Sequence, residues 1–271
     1  QAGLEAVALN FRSRSGEPNR RPRFYHSGET GDLAAVLDRL RADRPGAPLA
    51  ALGFSLGGNV LLKYLGERGD EAREVLDAAV AVSVPYRLGA SARRMERGLG
   101  PMYAAFFLRS LRASVRAKVR EHGHDFDLER LARVRSLREF DDAFTAPVHG
   151  FRDAEDYYRR SSSARFLPEV RVPTLLLQSR DDPFLPEGGL PEESMRRNPW
   201  LLPVLADGGG HVGFVEGPAP WDARFWAEAE AVRFLTTALA ADRRRTGGRA
   251  TDVRSSDSER GTTTCATAST T

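Results

Sequence analysis

The fold is decided by the stretch LAALGFSLGGNV, residues Leu49–Val60. Its apolar first half predicts a buried strand, and residues 59–65 then take up the apolar spacing of a helix. The turn between them, Gly53–Gly57, reads GFSLG and matches G-x-S-x-G, the sharp strand-to-helix turn that presents a nucleophilic serine. We expect side chains at Gly53 and Gly57 to collide with the neighbouring strand and helix. A glycine-rich turn with an incidental serine is the alternative interpretation.

Strand-like runs alternate with helical spacing on both sides of this stretch. The strand-like runs are residues 6–11, 78–85, 173–178 and 200–205. Helical spacing is found at residues 33–40, and a closing helix is predicted from about residue 219 to residue 240. This alternation predicts an α/β fold in which helices cover both faces of a mostly parallel sheet.

The alternation stops between about residue 87 and residue 170, where several helices carry bulky apolar residues among many arginines. We therefore predict a first core part at 1–86, a helical lid at 87–170, a second core part at 171–241 and a disordered tail at 242–271. The alternative to a lid is an ordinary helical subdomain, and both interpretations can be true of the same segment. Because the first residues already have the pattern of a core strand, we expect upstream strands of the sheet to be missing.

Composition limits the possible classes of protein. The chain has 271 residues, of which 41% are hydrophobic, enough for one globular domain with a sizeable core. No apolar run is long enough to span a membrane. The single cysteine, Cys265, gives neither a disulfide framework nor a cysteine-based metal site. With no signal peptide visible, the predicted location is cytoplasmic.

The basic character of the chain does not indicate nucleic-acid binding. The pI is about 9.3, but the formal net charge is only +3. Nearly all the cations are arginines, which favours a compositional bias of the genome over a binding function. No zinc-finger spacing, helix-turn-helix signature or RNA-stacking motif accompanies them.

A serine hydroxyl needs a base to become a nucleophile, and His211 is the predicted base for Ser55. His211 lies in GGGHVG, residues 208–213, directly after a predicted strand, where small neighbours permit close packing. An imidazole titrates near neutral pH, which suits proton transfer. The other histidines are predicted to be solvated in the helical segment or to have structural roles: His122 and His124 in the first case, His26 and His149 in the second.

A carboxylate should orient His211, and two adjacent residues, Asp181 and Asp182, follow the preceding strand. Hydrolase sequences place this acid three residues after a small strand-closing residue. Ser179 takes that position, which favours Asp182, while Asp181 stays open as the alternative. The order serine, aspartate, histidine is that of an α/β-hydrolase. The backbone N–H of Leu56 is the predicted donor to the oxyanion. A second donor normally comes from an upstream loop. This chemistry requires no metal or organic cofactor.

Several blocks of the sequence resemble the YheT-like α/β-hydrolases, AB hydrolase family 4, over roughly residues 5–240. These blocks are SGEPNR at 15–20, YHSGET at 25–30, GFSLGGN at 53–59, EFDD at 139–142, DYY at 156–158, DDPF at 181–184 and GGHVGF at 209–214. The resemblance implies a triad of Ser55, Asp182 and His211 and carboxylic-ester hydrolysis. Eukaryotic relatives act on lipid esters, and some act on acyl-CoA with an alcohol as acceptor. The chain lacks the family's upstream H-G-L-x-G-S segment, and Ser13 replaces a common glycine.

The predicted function is therefore hydrolysis of small-molecule carboxylic esters through an acyl-enzyme. The apolar residues of the predicted lid favour medium or long acyl chains. An acyltransferase using the same triad is one alternative. A non-catalytic protein that binds through its lid surface is the other, and the oligomeric state stays open.

Overall fold

The computed structural model describes residues 3–217 and 222–240. Its main sheet has four parallel strands in the order β1-β2-β3-β4. These strands are β1 Ala50–Phe54, β2 Ala78–Val82, β3 Thr174–Ser179 and β4 Leu201–Ala206. A short antiparallel pair, β5 Val215–Glu216 and β6 Arg224–Phe225, lies outside this sheet. The predicted α/β class with a parallel sheet is confirmed.

Helices connect and flank these strands. The α-helices are α1 Gly31–Asp43, α2 Leu56–Arg68, α3 Ala72–Val75, α4 Leu88–Arg94, α5 Gly100–His122, α6 Leu128–Arg133, α7 Leu137–Phe140, α8 Ala146–Val148, α9 Ala154–Ser161, α10 Glu192–Arg197 and α11 at 226–240. The closing helix thus starts later than predicted, and the predicted tail at 242–271 lies outside the described residues.

The two faces of the sheet are covered by different helices, because successive side chains of a strand point to opposite faces. One face packs against α1 and α2 through Ala79, Ala81 and Leu176. The other face packs against α11 through Val80, Val82, Leu175 and Leu177. Strands β2 and β3 are buried along their whole length, which explains their continuous apolar sequences.

The strand predicted at residues 6–11 is wrong. Residues 4–10 are exposed and have no regular secondary structure. A strand needs a neighbour to accept and donate its backbone hydrogen bonds, and no described strand pairs with this segment. On the edge strand β1, Leu52 and Phe54 are 40% and 39% exposed.

The helices between β2 and β3 pack around a core of their own. This core consists of Phe24, Leu108, Val115, Leu131, Val134, Phe140 and Phe144. Phe24 comes from the loop before α1, so the N-terminal segment is part of this helical layer. None of the helices in the described ranges has the length and apolar character that a membrane crossing requires.

Candidate active site

Ser55 lies at the junction of β1 and α2 in a strained backbone conformation. Its φ of 49° and ψ of −118° fall in a region that residues with side chains rarely adopt. The Ser55 N–H donates to the carbonyl of Val82 at the end of β2 with a distance of 2.8 Å, which holds the turn against the neighbouring strand. The predicted strand, turn and helix are all present, and the turn projects the hydroxyl beyond the carboxyl end of β1.

The close approach at this turn involves Gly53 and Gly58. A Cβ atom on Gly53 would lie 2.5 Å from the carbonyl oxygen of Gly57, and one on Gly58 would lie 2.6 Å from a methyl group of Val84. A Cβ atom on Gly57 would meet nothing within 4 Å. The predicted collision is therefore correct for Gly53 and wrong for Gly57, because Gly57 faces open space at the start of α2.

We expect Gly53→Ala to destabilise the fold and Gly57→Ala to leave it intact. The clash at Gly53 is with backbone atoms that cannot move away, at a cost of about 1–3 kcal/mol, or a decrease in Tm of roughly 2–12 °C. Gly57 lies within the first turn of α2, where alanine is a better helix former than glycine. Thermal unfolding monitored by circular dichroism measures both variants. Equal Tm values for the two would contradict this account of the turn.

The structure brings Ser55, His211 and Asp182 together. His211 Nε2 lies 2.8 Å from Ser55 Oγ, and His211 Nδ1 lies 2.9 Å from Asp182 Oδ2. The Asp182 side chain is 2% exposed and that of His211 is 17% exposed. In the imidazole tautomer that donates from Nδ1 to Asp182, Nε2 accepts the hydroxyl proton of Ser55. This arrangement can remove a proton from the serine as it attacks an electrophile.

The Asp182 carboxylate accepts three N–H groups. Besides His211, the side-chain amide of Gln178 donates to Oδ2 at 2.9 Å, and the backbone N–H of Phe184 donates to Oδ1 at 2.8 Å. Gln178 comes from β3, which is fully buried. These three contacts fix the orientation of the carboxylate.

Asp181, the alternative acid, points to the loop instead of the imidazole. Its carboxylate accepts hydrogen bonds from the hydroxyl of Ser179 and, at 2.8 Å, from the backbone N–H of Gly210. The Ser179 and Gly210 hydrogen bonds lower the pKa of Asp181. Asp181 thus ties the loop that carries His211 to the end of β3.

The backbone N–H of Leu56 is available as an oxyanion donor. Leu56 is the first residue of α2, and the first N–H groups of a helix have no partner within the helix. The positive end of the helix dipole adds to its attraction for negative charge. The role of Leu56 is a prediction that rests on this position.

The other histidines lie outside this cluster. His122 and His124 were predicted to be solvated, and both are partly exposed; in addition, each ring Nε2 is hydrogen-bonded to a carbonyl, that of Pro18 at 3.2 Å and that of Arg20 at 3.0 Å. His26 and His149 pack against each other with ring centroids 4.5 Å apart and ring planes tilted by 40°. His26 Nδ1 accepts the backbone N–H of Gly28, whereas both ring nitrogens of His149 are buried without a hydrogen-bond partner among the described residues.

His149 makes the stability of the protein sensitive to acid. Burial, assisted by the charge of Arg23, lowers the pKa of His149 from 6.5 to about 4. As the pH falls below 6.5, the unfolded chain binds a proton at this position that the folded protein does not bind. The stabilisation is therefore complete above pH 6.5 and is lost as the pH falls toward 4.

We expect His149→Phe to reduce this loss, because phenylalanine cannot be protonated and can pack against His26 in the same place. Between pH 7 and pH 5, the free energy of unfolding should fall by about 1–2 kcal/mol less in the variant than in the parent protein. Urea unfolding at both pH values measures the difference. Parallel pH dependences in the two proteins would show that His149 is not responsible.

Asn59 has a structural role that sequence reasoning did not assign. Its side chain is fully buried at the start of α2, where the amide donates to the carbonyls of Ser27 and Ser161 and the oxygen accepts the N–H of Ser163. It thereby joins the elbow helix to the end of the helical layer and to the loop before α1. In the sequence, the only indication of this role was the position of Asn59 in the block GFSLGGN.

Comparison with known proteins finds one matching family profile and several related proteins. A family profile described as alpha/beta hydrolase fold matches residues 9–218. The chain is 40% identical to YheT of Escherichia coli (strain K12), whose esterase designation is provisional, over 88% of this chain and 70% of YheT. It is 37% identical to the phospholipase ABHD3 of Mus musculus over 81% of this chain and 53% of that protein. It is 32% identical to a monoacylglycerol lipase of Saccharomyces cerevisiae over 86% of this chain and 52% of that protein.

The chain therefore spans 70% of YheT and about half the length of the other two relatives. The names of these relatives describe an esterase, a phospholipase and a lipase. The matched family profile and the parallel sheet agree on the fold. The chain belongs to the alpha/beta hydrolase fold family, and within it to the YheT-like hydrolases.

Proposed function

We propose that this protein hydrolyses carboxylic esters with Ser55 as nucleophile, His211 as general base and Asp182 as the residue that orients the base. The observation that carries the proposal is the continuous hydrogen-bonded series from Ser55 Oγ through the imidazole to Asp182, with distances of 2.8 and 2.9 Å. Similar series activate serine in enzymes of unrelated folds.

The first half of the reaction forms an acyl-enzyme. Ser55 Oγ attacks the ester carbonyl carbon while His211 Nε2 takes the hydroxyl proton. The resulting imidazolium is stabilised by Asp182, and the oxyanion is stabilised by the Leu56 N–H. His211 then gives its proton to the departing alkoxide, so that an alcohol leaves. In the second half, water attacks the acyl-enzyme with His211 again as base, and the acid is released.

Aromatic contacts connect His211 with the helical segment through Phe184. The Phe184 ring lies 4.4 Å from the His211 ring, and Tyr103 of α5 packs edge-on against Phe184 at 4.9 Å. Phe107, also on α5, lies 6.4 Å from Phe184. We propose that residues 87–170 form a lid whose apolar side chains contact the acyl chain of the ester, which favours medium or long chains.

Hydrolysis of a series of p-nitrophenyl esters tests this function. Because the chain spans only part of its relatives, the measurement belongs on the longest protein that the gene encodes. We expect kcat/KM to increase from acetate to octanoate, since each buried methylene adds about 0.8 kcal/mol of apolar transfer energy. No turnover of any ester would overturn the proposal. Added ethanol distinguishes the acyltransferase alternative, which would give the ethyl ester as the main product.

A cytoplasmic location stays a prediction from the sequence.

A further inference from the structure

The exposed side of α5 has two chemically different halves. Helical turns of 3.6 residues bring six exposed residues into one stripe, and these are Met102, Phe106, Arg109, Ala113, Arg116 and Arg120. The N-terminal half is apolar, and together with Leu99 just before the helix its large side chains are 62–71% exposed. The C-terminal half is cationic. Exposed faces that combine large apolar and cationic side chains are typical of helices that lie in a lipid interface.

The cationic half borders a cleft with the character of an anion site. The cleft has a volume of about 380 Å³ and is lined by Arg109, Arg112 and Arg116 of α5 and by Ala132 of α6. Arg112 donates from one terminal nitrogen to the carbonyl of Val134, and its Nε is buried without a hydrogen-bond partner among the described residues. Three guanidinium groups therefore line one cleft, and guanidinium groups are well suited to bind phosphate.

The positive charge of this cleft is not compensated. Within residues 3–217 and 222–240, none of Arg109, Arg112 and Arg116 forms an ion pair with a carboxylate, whereas Arg120 farther along the stripe pairs with Glu121. Like charges three and four residues apart on a helix repel each other. A bound anion would relieve this repulsion.

The apolar half of the stripe is connected to the catalytic histidine by aromatic contacts. Phe106 lies 5.9 Å from Phe107, Phe107 lies 6.4 Å from Phe184, and Phe184 lies 4.4 Å from His211, all between ring centroids. An acyl chain that leaves a lipid layer at Phe106 would thus meet apolar surface as far as the reacting centre.

We infer that the exposed face of α5 docks on an anionic lipid surface. Leu99, Met102 and Phe106 enter the acyl region of the layer, and the arginine cleft binds a lipid phosphate. Delivery of an ester to Ser55 from that layer rests on the proposed function, whereas docking itself does not. The cationic half would act through charge and the apolar half through burial, so the two halves can be tested separately.

Binding to lipid vesicles tests the inference. The probes are vesicles of phosphatidylcholine alone and vesicles containing one quarter phosphatidylglycerol, and co-sedimentation measures binding. We expect the protein to prefer the anionic vesicles. Arg109→Gln with Arg116→Gln should weaken that binding by about 30-fold, since each juxtamembrane cation contributes about a fivefold effect. Met102→Ser with Phe106→Ser should weaken binding to both kinds of vesicle by about tenfold or more.

Matched variants control for net charge and for lost apolar surface. Arg39→Gln with Arg197→Gln removes two exposed arginines that are already paired with Asp43 and Glu193. Leu202→Ser with Val232→Ser removes two exposed apolar side chains outside the helical layer. Neither control should change vesicle binding. A loss of binding in a control equal to that in its test variant would overturn the assignment to α5.

Two further outcomes would overturn the inference: equal binding to neutral and anionic vesicles, or binding to inorganic phosphate or duplex DNA that competes fully with the vesicles. Ser55→Ala separates docking from catalysis, because it should abolish ester hydrolysis and retain vesicle binding. A protein that hydrolyses esters without binding vesicles contradicts only the docking surface. A protein that binds vesicles but hydrolyses no ester contradicts only the proposed function.

Discussion

Ser55→Ala is expected to lower kcat by about 10⁴- to 10⁶-fold, the largest effect of any single substitution in this protein. Removing the hydroxyl leaves no nucleophile 2.8 Å from His211 Nε2, and alanine cannot accept an acyl group. Positioning of the ester and the Leu56 N–H would supply the small activity that remains. Initial rates on a p-nitrophenyl ester measure this loss. A fluorophosphonate probe provides an independent measurement, because it forms a covalent bond to an activated serine and releases fluoride.

Ser114→Ala is the matched control for this substitution. Ser114 lies on α5, and its hydroxyl donates only to the carbonyl of Ser110 one turn earlier. The control should retain both turnover and labelling, whereas Ser55→Ala should lose both and keep a normal circular dichroism spectrum. Labelling that persists without the Ser55 hydroxyl would assign the nucleophile to another residue.

Local sequence predicts the elbow because its chemistry is contained in a few consecutive residues. The run Leu49–Val60 contains the strand, the turn and the start of the helix in consecutive residues. Which glycine is essential depends on packing, however. Gly58 is constrained by Val84, which follows β2 and is distant in sequence. The pattern of glycines therefore predicts the turn, but it does not predict which glycines make close contacts with distant residues.

Predictions that depended on distant partners were less successful. The strand-like run at residues 6–11 suggests a strand, but the run cannot supply the neighbouring strand that a ladder needs. His122 and His124 were expected to be solvated because their own segment is charged. Their partners, the carbonyls of Pro18 and Arg20, lie about a hundred residues earlier in the chain, so only the fold reveals them.

The choice between Asp181 and Asp182 shows the same limit at the level of one side chain. Both residues follow β3 in the same loop, and the small residue at Ser179 favours Asp182 by analogy alone. The orientation is decided by backbone hydrogen bonds: the Phe184 N–H holds Asp182, and the Gly210 N–H holds Asp181. Neither contact can be derived from the sequence pattern.

Asp182→Asn is therefore expected to lower kcat by about 10³- to 10⁴-fold, while Asp181→Asn should keep turnover within about tenfold of the parent protein. The Asp182 carboxylate accepts N–H groups from Phe184, Gln178 and His211 on its two oxygens. An asparagine has one acceptor oxygen, so its NH₂ group would face at least one of these donors. If it faces His211, the imidazole is held in the tautomer that cannot take the proton of Ser55.

At position 181 the same substitution keeps the essential acceptor. The hydroxyl of Ser179 and the N–H of Gly210 both donate to one oxygen, Oδ1, which asparagine retains. Steady-state kinetics of the two variants on one ester, with KM and kcat determined separately, distinguish the roles: loss of orientation of the base lowers kcat with little change in KM. Because the two substitutions are chemically identical and adjacent, a general effect of lost negative charge would appear in both. Loss of turnover in Asp181→Asn with activity retained in Asp182→Asn would reverse the assignment and identify Asp181 as the acid.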